Sequence, residues 1–145
     1  MTKPISKGQM ANAIEELLHE GLFDRGGVEI WVRGNFRCEY CKTDLLNSVS
    51  EFDTGVGDHI LPQSKYPNLI NDINNYANAC HSCNKLKRNW DPVDQDQSYK
   101  TLERLSDQQR LDLIEKCKEY LNKRRAQKEN ELEKMKIIIQ KHGFR

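Results

Sequence analysis

The chain has 145 residues, 37% of them hydrophobic and 31% charged, with a formal net charge of +1. That length supports one domain with a modest core and excludes two independent ones. No apolar run approaches the roughly 18 residues of a membrane span, and the first twenty residues are polar and helix-patterned rather than signal-like, so a cytoplasmic protein without membrane association is expected.

Residues 6–20 place Met10, Ala13, Ile14, Leu17 and Leu18 at the spacing of one buried helix face. Gly21 is the expected C-terminal cap, and Leu22 supplies the apolar contact that accompanies such caps. Gly26-Gly27 breaks the chain, and the β-branched and aromatic run Val28-Glu29-Ile30-Trp31-Val32 predicts a short strand or a continuing ordered stretch, turned by Gly34-Asn35. Residues 44–57 read as loop, residues 57–61 as a short strand ended by Pro62, and residues 63–73 as a connection. A helix is predicted through Cys83–Arg88, closed by Asp91-Pro92, and residues 91–100 form a polar linker. Beyond it, Ser106 and Gln109 make an approximate capping box before a stripe of Leu111, Ile114, Cys117 and Leu121. The polar stretch 122–130 then separates that stripe from Leu132, Met135, Ile138 and Ile139, which predicts a long helical arm, either one helix of about 35 residues or two joined near 122–130.

Charge is unevenly spread. Residues 1–60 carry 6 Lys/Arg against 10 Asp/Glu, and residues 61–145 carry 17 against 12, which permits a basic face without requiring one. Cys38, Cys41, Cys80 and Cys83 form two Cys-x-x-Cys pairs, and Cys117 stands alone. In a reducing compartment such pairs read as a tetrahedral zinc site rather than as disulfides. The 38 residues between the pairs leave room for something functional.

Three segments lie in order: Cys38-Glu39-Tyr40-Cys41, then Asp58-His59-Ile60-Leu61-Pro62-Gln63-Ser64, then Asn75 through Cys80-His81-Ser82-Cys83-Asn84-Lys85-Leu86-Lys87. Together they resemble the HNH nuclease family over residues 36–90, about a third of the chain. The resemblance implies a ββα-metal fold, Asp58 and Asn84 as ligands of a catalytic cation, and Asn75 as the residue that pins the loop and keeps the base oriented. Elementary chemistry reaches the same place, since phosphodiester hydrolysis needs a base for water and a cation to offset developing charge. His59 is the natural base, because histidine is largely neutral at cellular pH. An Asp/Asn pair suits a hard ion such as Mg²⁺ or another divalent cation. Lys87, three residues after Asn84, shares its helix face and is expected to hold the phosphate. Tyr40 and Trp90 are expected to pack on the knuckle, and Lys123-Arg124-Arg125 to form a solvated helix face or, as the alternative, to contact nucleic acid or a partner. One departure from the family pattern is the loop after Ser64, where Lys65-Tyr66-Pro67 replaces a glycine-rich turn and predicts a stiffer segment.

The expected architecture is α+β: a small ββα-metal core with structural Zn²⁺, an N-terminal helix and a long C-terminal helical arm, divided as residues 1–100 and 101–145. The expected activity is a metal-dependent endonuclease on nucleic acid, double-stranded DNA before RNA. Two rivals are a zinc-knuckle binding module without hydrolysis, and an effector subunit controlled by a protein partner through residues 106–145.

Overall fold

The computed structural model describes residues 3–23, 27–94 and 96–145; the predicted break at Gly26 lies outside them. The architecture is α+β, a two-stranded antiparallel sheet among helices, with four clustered cysteines and a long C-terminal helix. No helix among the described residues is long and apolar enough to cross a membrane.

Helix α1 (Lys7–His19) starts at a capping box between Ser6 and Gln9. It ends as expected: Gly21 adopts φ +64°, its N–H reaches Leu18 O, and the Leu22 N–H reaches Leu17 O, so the last carbonyls are satisfied. Met10, Ala13, Ile14 and Leu17 pack on the core, whereas Leu18 is exposed.

Val28–Arg33 is a helix, α2, and not the predicted strand. Val28, Ile30, Trp31 and Val32 are buried and only Glu29 is exposed, and six residues are too few for a helical period to stand out against the β-branched and aromatic composition. Trp31 joins Phe23, Phe36 and Phe52 in an aromatic cluster whose centroids lie 5.6–6.4 Å apart. A second helix, α3 (Val49–Thr54), lies within the segment expected to be loop; Ser48 caps it by accepting the Glu51 N–H at 3.1 Å.

Strand β1 (Val56–His59) pairs with β2 (Tyr76–Ala79), with Asp58 opposite Ala77 and His59 opposite Tyr76. Between them run single 3₁₀ turns at Pro67–Leu69 and Ile73–Asn75. The segment is anchored through Tyr66. Tyr66 is buried and donates to Asp91 Oδ2 at 2.7 Å, and Lys100 lies over its ring. Helix α4 (His81–Lys87) follows β2 directly. A turn closed by the Trp90 N–H on Lys87 O leaves Arg88 at φ +50°, ψ −128°, the type II′ position that glycine normally fills.

Helix α5 (Asp107–Lys141) is a single helix of 35 residues, the unbroken of the two expected forms. Its buried residues are Arg110, Leu113, Ile114, Cys117 and Leu121, so Leu113 takes the core place expected of Leu111, which is exposed. The first half of α5 is thereby part of the same core as residues 28–93. From Ala126 onward every residue is exposed, including Leu132, Met135, Ile138 and Ile139.

Candidate active site and metal centre

The two Cys-x-x-Cys pairs meet. Sγ atoms of Cys38, Cys41, Cys80 and Cys83 all lie within 4.8 Å of one another, and Cys41 and Cys80 are 3.6 Å apart. Four sulfurs about 2.3 Å from one zinc stand about 3.8 Å apart, so the cluster has the size of a tetrathiolate site. Local bonding builds each half. The first pair sits in a turn closed by the Cys38 N–H on Thr43 O and the Lys42 N–H on Cys38 O. In the second pair, Cys80 caps α4 with its sulfur accepting the Cys83 N–H. The halves are drawn together by Glu39, whose N–H donates to Asn78 O and whose carboxylate accepts the Asn78 N–H at 2.8 Å. Arg110 locks Glu39 from α5 through a 2.7 Å ion pair.

Electrostatics also favours a cation here. Hydrogen bonding with Cys38 pulls the Cys41 thiol far down and Cys80 down to about 6, while Cys41 pushes Cys38 up and Cys38 pushes Cys83 up. Four crowded sulfurs cannot all ionise unless a metal shares their charge. Arg125 of α5 adds to this by donating to Cys83 Sγ at 3.2 Å, a contact of the kind that tunes metal ligands from outside. Cys117 stays apart from the cluster, and burial pushes its thiol up to about 12.

On the far side of α4 lies a cleft of about 480 Å³, lined among others by Asp58, His59, Gln63, Asn84, Lys85 and Arg88. Asp58 is buried, and two donors converge on its Oδ2: the Tyr40 hydroxyl at 2.7 Å and Lys87 Nζ at 3.1 Å. Burial and the Asp58 charge push the Tyr40 pKa well up, so this hydroxyl stays a donor. His59 lies against the Tyr76 ring with centroids 4.3 Å apart, and its Nε2 is 3.1 Å from Ile70 O. A carbonyl only accepts, so Nε2 is the donor in this contact. Asn75 is wholly buried. Its carboxamide accepts the Leu61 N–H at 2.8 Å and donates to Leu61 O and Leu69 O, tying the segment after His59 to the start of β2.

Residues 38–89 match the HNH endonuclease family model. No curated protein and no solved structure matches the chain. The HNH segment contains both cysteine pairs, both strands and α4, so it covers the metal centre and the cleft together.

Within that segment the structure brings Asp58, His59 and Asn84 to one cleft and keeps Asn75 and Lys87 beneath it. Lys87 does share a helix side with Asn84, but its ammonium is turned inward, bonded to Asp58 and to His59 O at 3.0 Å, rather than offered to solvent. Two contributors escaped the sequence analysis. Tyr40 occupies an unconstrained position of its Cys-x-x-Cys pair, and no local pattern marks it as a partner of Asp58. Arg125 lies in a basic run expected to be solvated; its one-turn-and-a-bit distance from the buried Leu121 is the signal that places it on the inner face.

Proposed function

We propose that the chain is a metal-dependent endonuclease that hydrolyses phosphodiester bonds in nucleic acid, acting on double-stranded DNA in preference to RNA. The observation that carries this reading is the meeting of Asp58, His59 and Asn84 in one open cleft within the HNH segment. His59 acts as the general base. Its Nε2–H is held by Ile70 O, which leaves Nδ1 to take the proton from an attacking water. Asn75 holds the backbone on the C-terminal side of His59, so the imidazole and the loop move as one. Asp58 and Asn84 are the residues to hold a divalent cation such as Mg²⁺, both offering hard oxygen donors. Such a cation, when bound, offsets charge on the phosphoryl and leaving oxygens. Asp58 is fixed by Tyr40 and Lys87, which both take Oδ2 and leave Oδ1 for the cation. Lys87 is thus a positioning residue for Asp58 and for the His59 backbone.

The test is cleavage of supercoiled plasmid by the zinc-loaded protein with and without added Mg²⁺, alongside His59→Ala. Nicking or cutting that needs Mg²⁺ and is lost in His59→Ala supports the reading. Plasmid that is bound but stays intact under every divalent ion overturns it in favour of a binding module.

A further inference from the structure

We propose that the groove between α4 and α5 seats the sugar-phosphate backbone of a DNA duplex running on from the cleft, an assignment that rests on the nuclease reading above. The groove encloses about 700 Å³ and is lined by the stem of Lys87, whose ammonium is held by Asp58, and by five further cations, Lys85, Arg88, Arg124, Arg125 and Lys128. Two carboxylates oppose these five, Glu129 and Glu131, so the lining is clearly positive. Lys85 and Arg88 also line the cleft of Asp58 and His59, which makes the two hollows continuous at a pair of exposed cations. A duplex phosphate track leaving the reacting centre would therefore meet positive charge at once and stay on it.

The groove is built to keep its shape. Trp90, just past α4, stacks on Tyr120 of α5 with centroids 4.1 Å apart and planes 2° from parallel, and fixes the spacing of the walls. Along α5 the lining runs from Tyr120 to Leu132, about 18 Å at helical rise. Consecutive phosphates lie about 6–7 Å apart along a strand, so that is room for about three of them.

Arg88 supplies an independent pointer. It stands at the junction of cleft and groove with φ +50°, where a side chain is strained and glycine would not be. What an arginine brings there, against that cost, is a cation on the path between the two hollows. Continuity with the cleft is also what favours nucleic acid over an acidic protein segment as the occupant.

The experiment measures anisotropy of a labelled, arbitrary-sequence duplex of two helical turns, on zinc-loaded full-length protein carrying His59→Ala so that the probe survives. Adding Arg124→Ala and Lys128→Ala should weaken binding about tenfold and flatten the slope of log affinity against log salt by about 2. Without His59→Ala, the same pair should hydrolyse bis(p-nitrophenyl) phosphate, too small to reach the groove, at the unsubstituted rate. Arg88→Gly should raise the melting temperature and yet weaken duplex binding, a pairing that a merely structural arginine would not produce. Unchanged affinity and salt slope in the double variant overturn the groove, even if the protein cuts DNA normally. So does a poly-glutamate peptide that binds the groove without displacing the duplex. A protein that binds through the groove but hydrolyses neither DNA nor the small ester upholds the groove and overturns the nuclease reading.

Discussion

Replacing Lys87 with methionine keeps most of the stem's volume and removes its ammonium, and the structure makes this a test of where that charge acts. Nζ is wholly buried, 3.1 Å from Asp58 Oδ2 and 3.0 Å from His59 O. Without it, the Asp58 carboxylate keeps the Tyr40 hydrogen bond but loses its cationic partner. Removing one member of a buried pair costs about 3–5 kcal/mol, because the other charge stays desolvated. Asp58 borders an open cleft and retains Tyr40, so the low end of that range, about 3 kcal/mol, is the expectation. In a domain of this size each kcal/mol moves the melting temperature by about 2–4 °C, which predicts a fall of about 6–12 °C. Thermal unfolding of zinc-loaded protein by circular dichroism reads it. Asp58→Asn in the same chain should recover part of the loss, because no unpaired charge then remains buried. Millimolar Mg²⁺ should stabilise Lys87→Met more than the unsubstituted protein, since the exposed need of Asp58 for a positive partner is then met by the ion. A variant that melts with the unsubstituted protein but has lost phosphate binding would place Lys87 at the substrate and refute the buried pairing.

Cys80→Ala should lose the bound metal and the cooperative transition, while Cys117→Ala keeps one metal per chain by elemental analysis, since Cys117 lies outside the cluster. Truncation after Asn122 should leave a folded protein by circular dichroism, because the buried residues of α5 end at Leu121. The same truncation removes Arg125 from Cys83, so zinc should pass to a competing chelator about 10–100-fold more readily, and Arg125→Met alone should reproduce this. His59→Ala should cut cleavage by about 10²–10⁴-fold with no rescue by metal. Asp58→Ala and Asn84→Ala should instead be partly restored by raised Mg²⁺ or Mn²⁺, which separates cation holders from the base.

The parts legible in sequence are those where spacing imposes geometry. Two Cys-x-x-Cys pairs can close on one metal only if the chain between them returns to its start, which places β1, the return and α4 in order before any packing is known. The helix caps at Gly21 and Ser106 were equally local. What failed depended on surroundings. Val28–Arg33 buries four of its six residues and exposes only Glu29, too short a stretch for a helical period to outweigh its β-branched composition. Tyr76-Ala77-Asn78-Ala79 has no β-branched residue, and it is a strand because β1 supplies the ladder; the family resemblance implied it, but its own composition did not. Helix α3 left one readable mark, Ser48 three residues before Glu51, and it was passed over among polar neighbours. For Lys87, helical spacing correctly put it on the side of Asn84, but no spacing rule says how far beneath a strand that side is buried.

Helix α4 joins the two sites, and its length decides how they depend on each other. Capped by Cys80, its 7 helical residues carry Cys83, pass through Asn84 at the cleft and end at Lys87 beneath Asp58. A helix that short does not persist in water by propensity, since isolated helices below about 12–15 residues are marginal. Its first turn is held by the cysteine cluster, so losing zinc should let α4 fray from the end that positions Asn84. Cleavage should then depend on a metal that touches no reacting atom. The measurement strips zinc with a thiol-seeking chelator while Mg²⁺ stays in excess. Activity is expected to fall in step with zinc release, to return on adding zinc back, and to ignore further Mg²⁺. A zinc-free protein that still cuts at the full rate would show that β1 and the α5 contacts hold α4 without the knuckle, and that the two sites are neighbours rather than one machine.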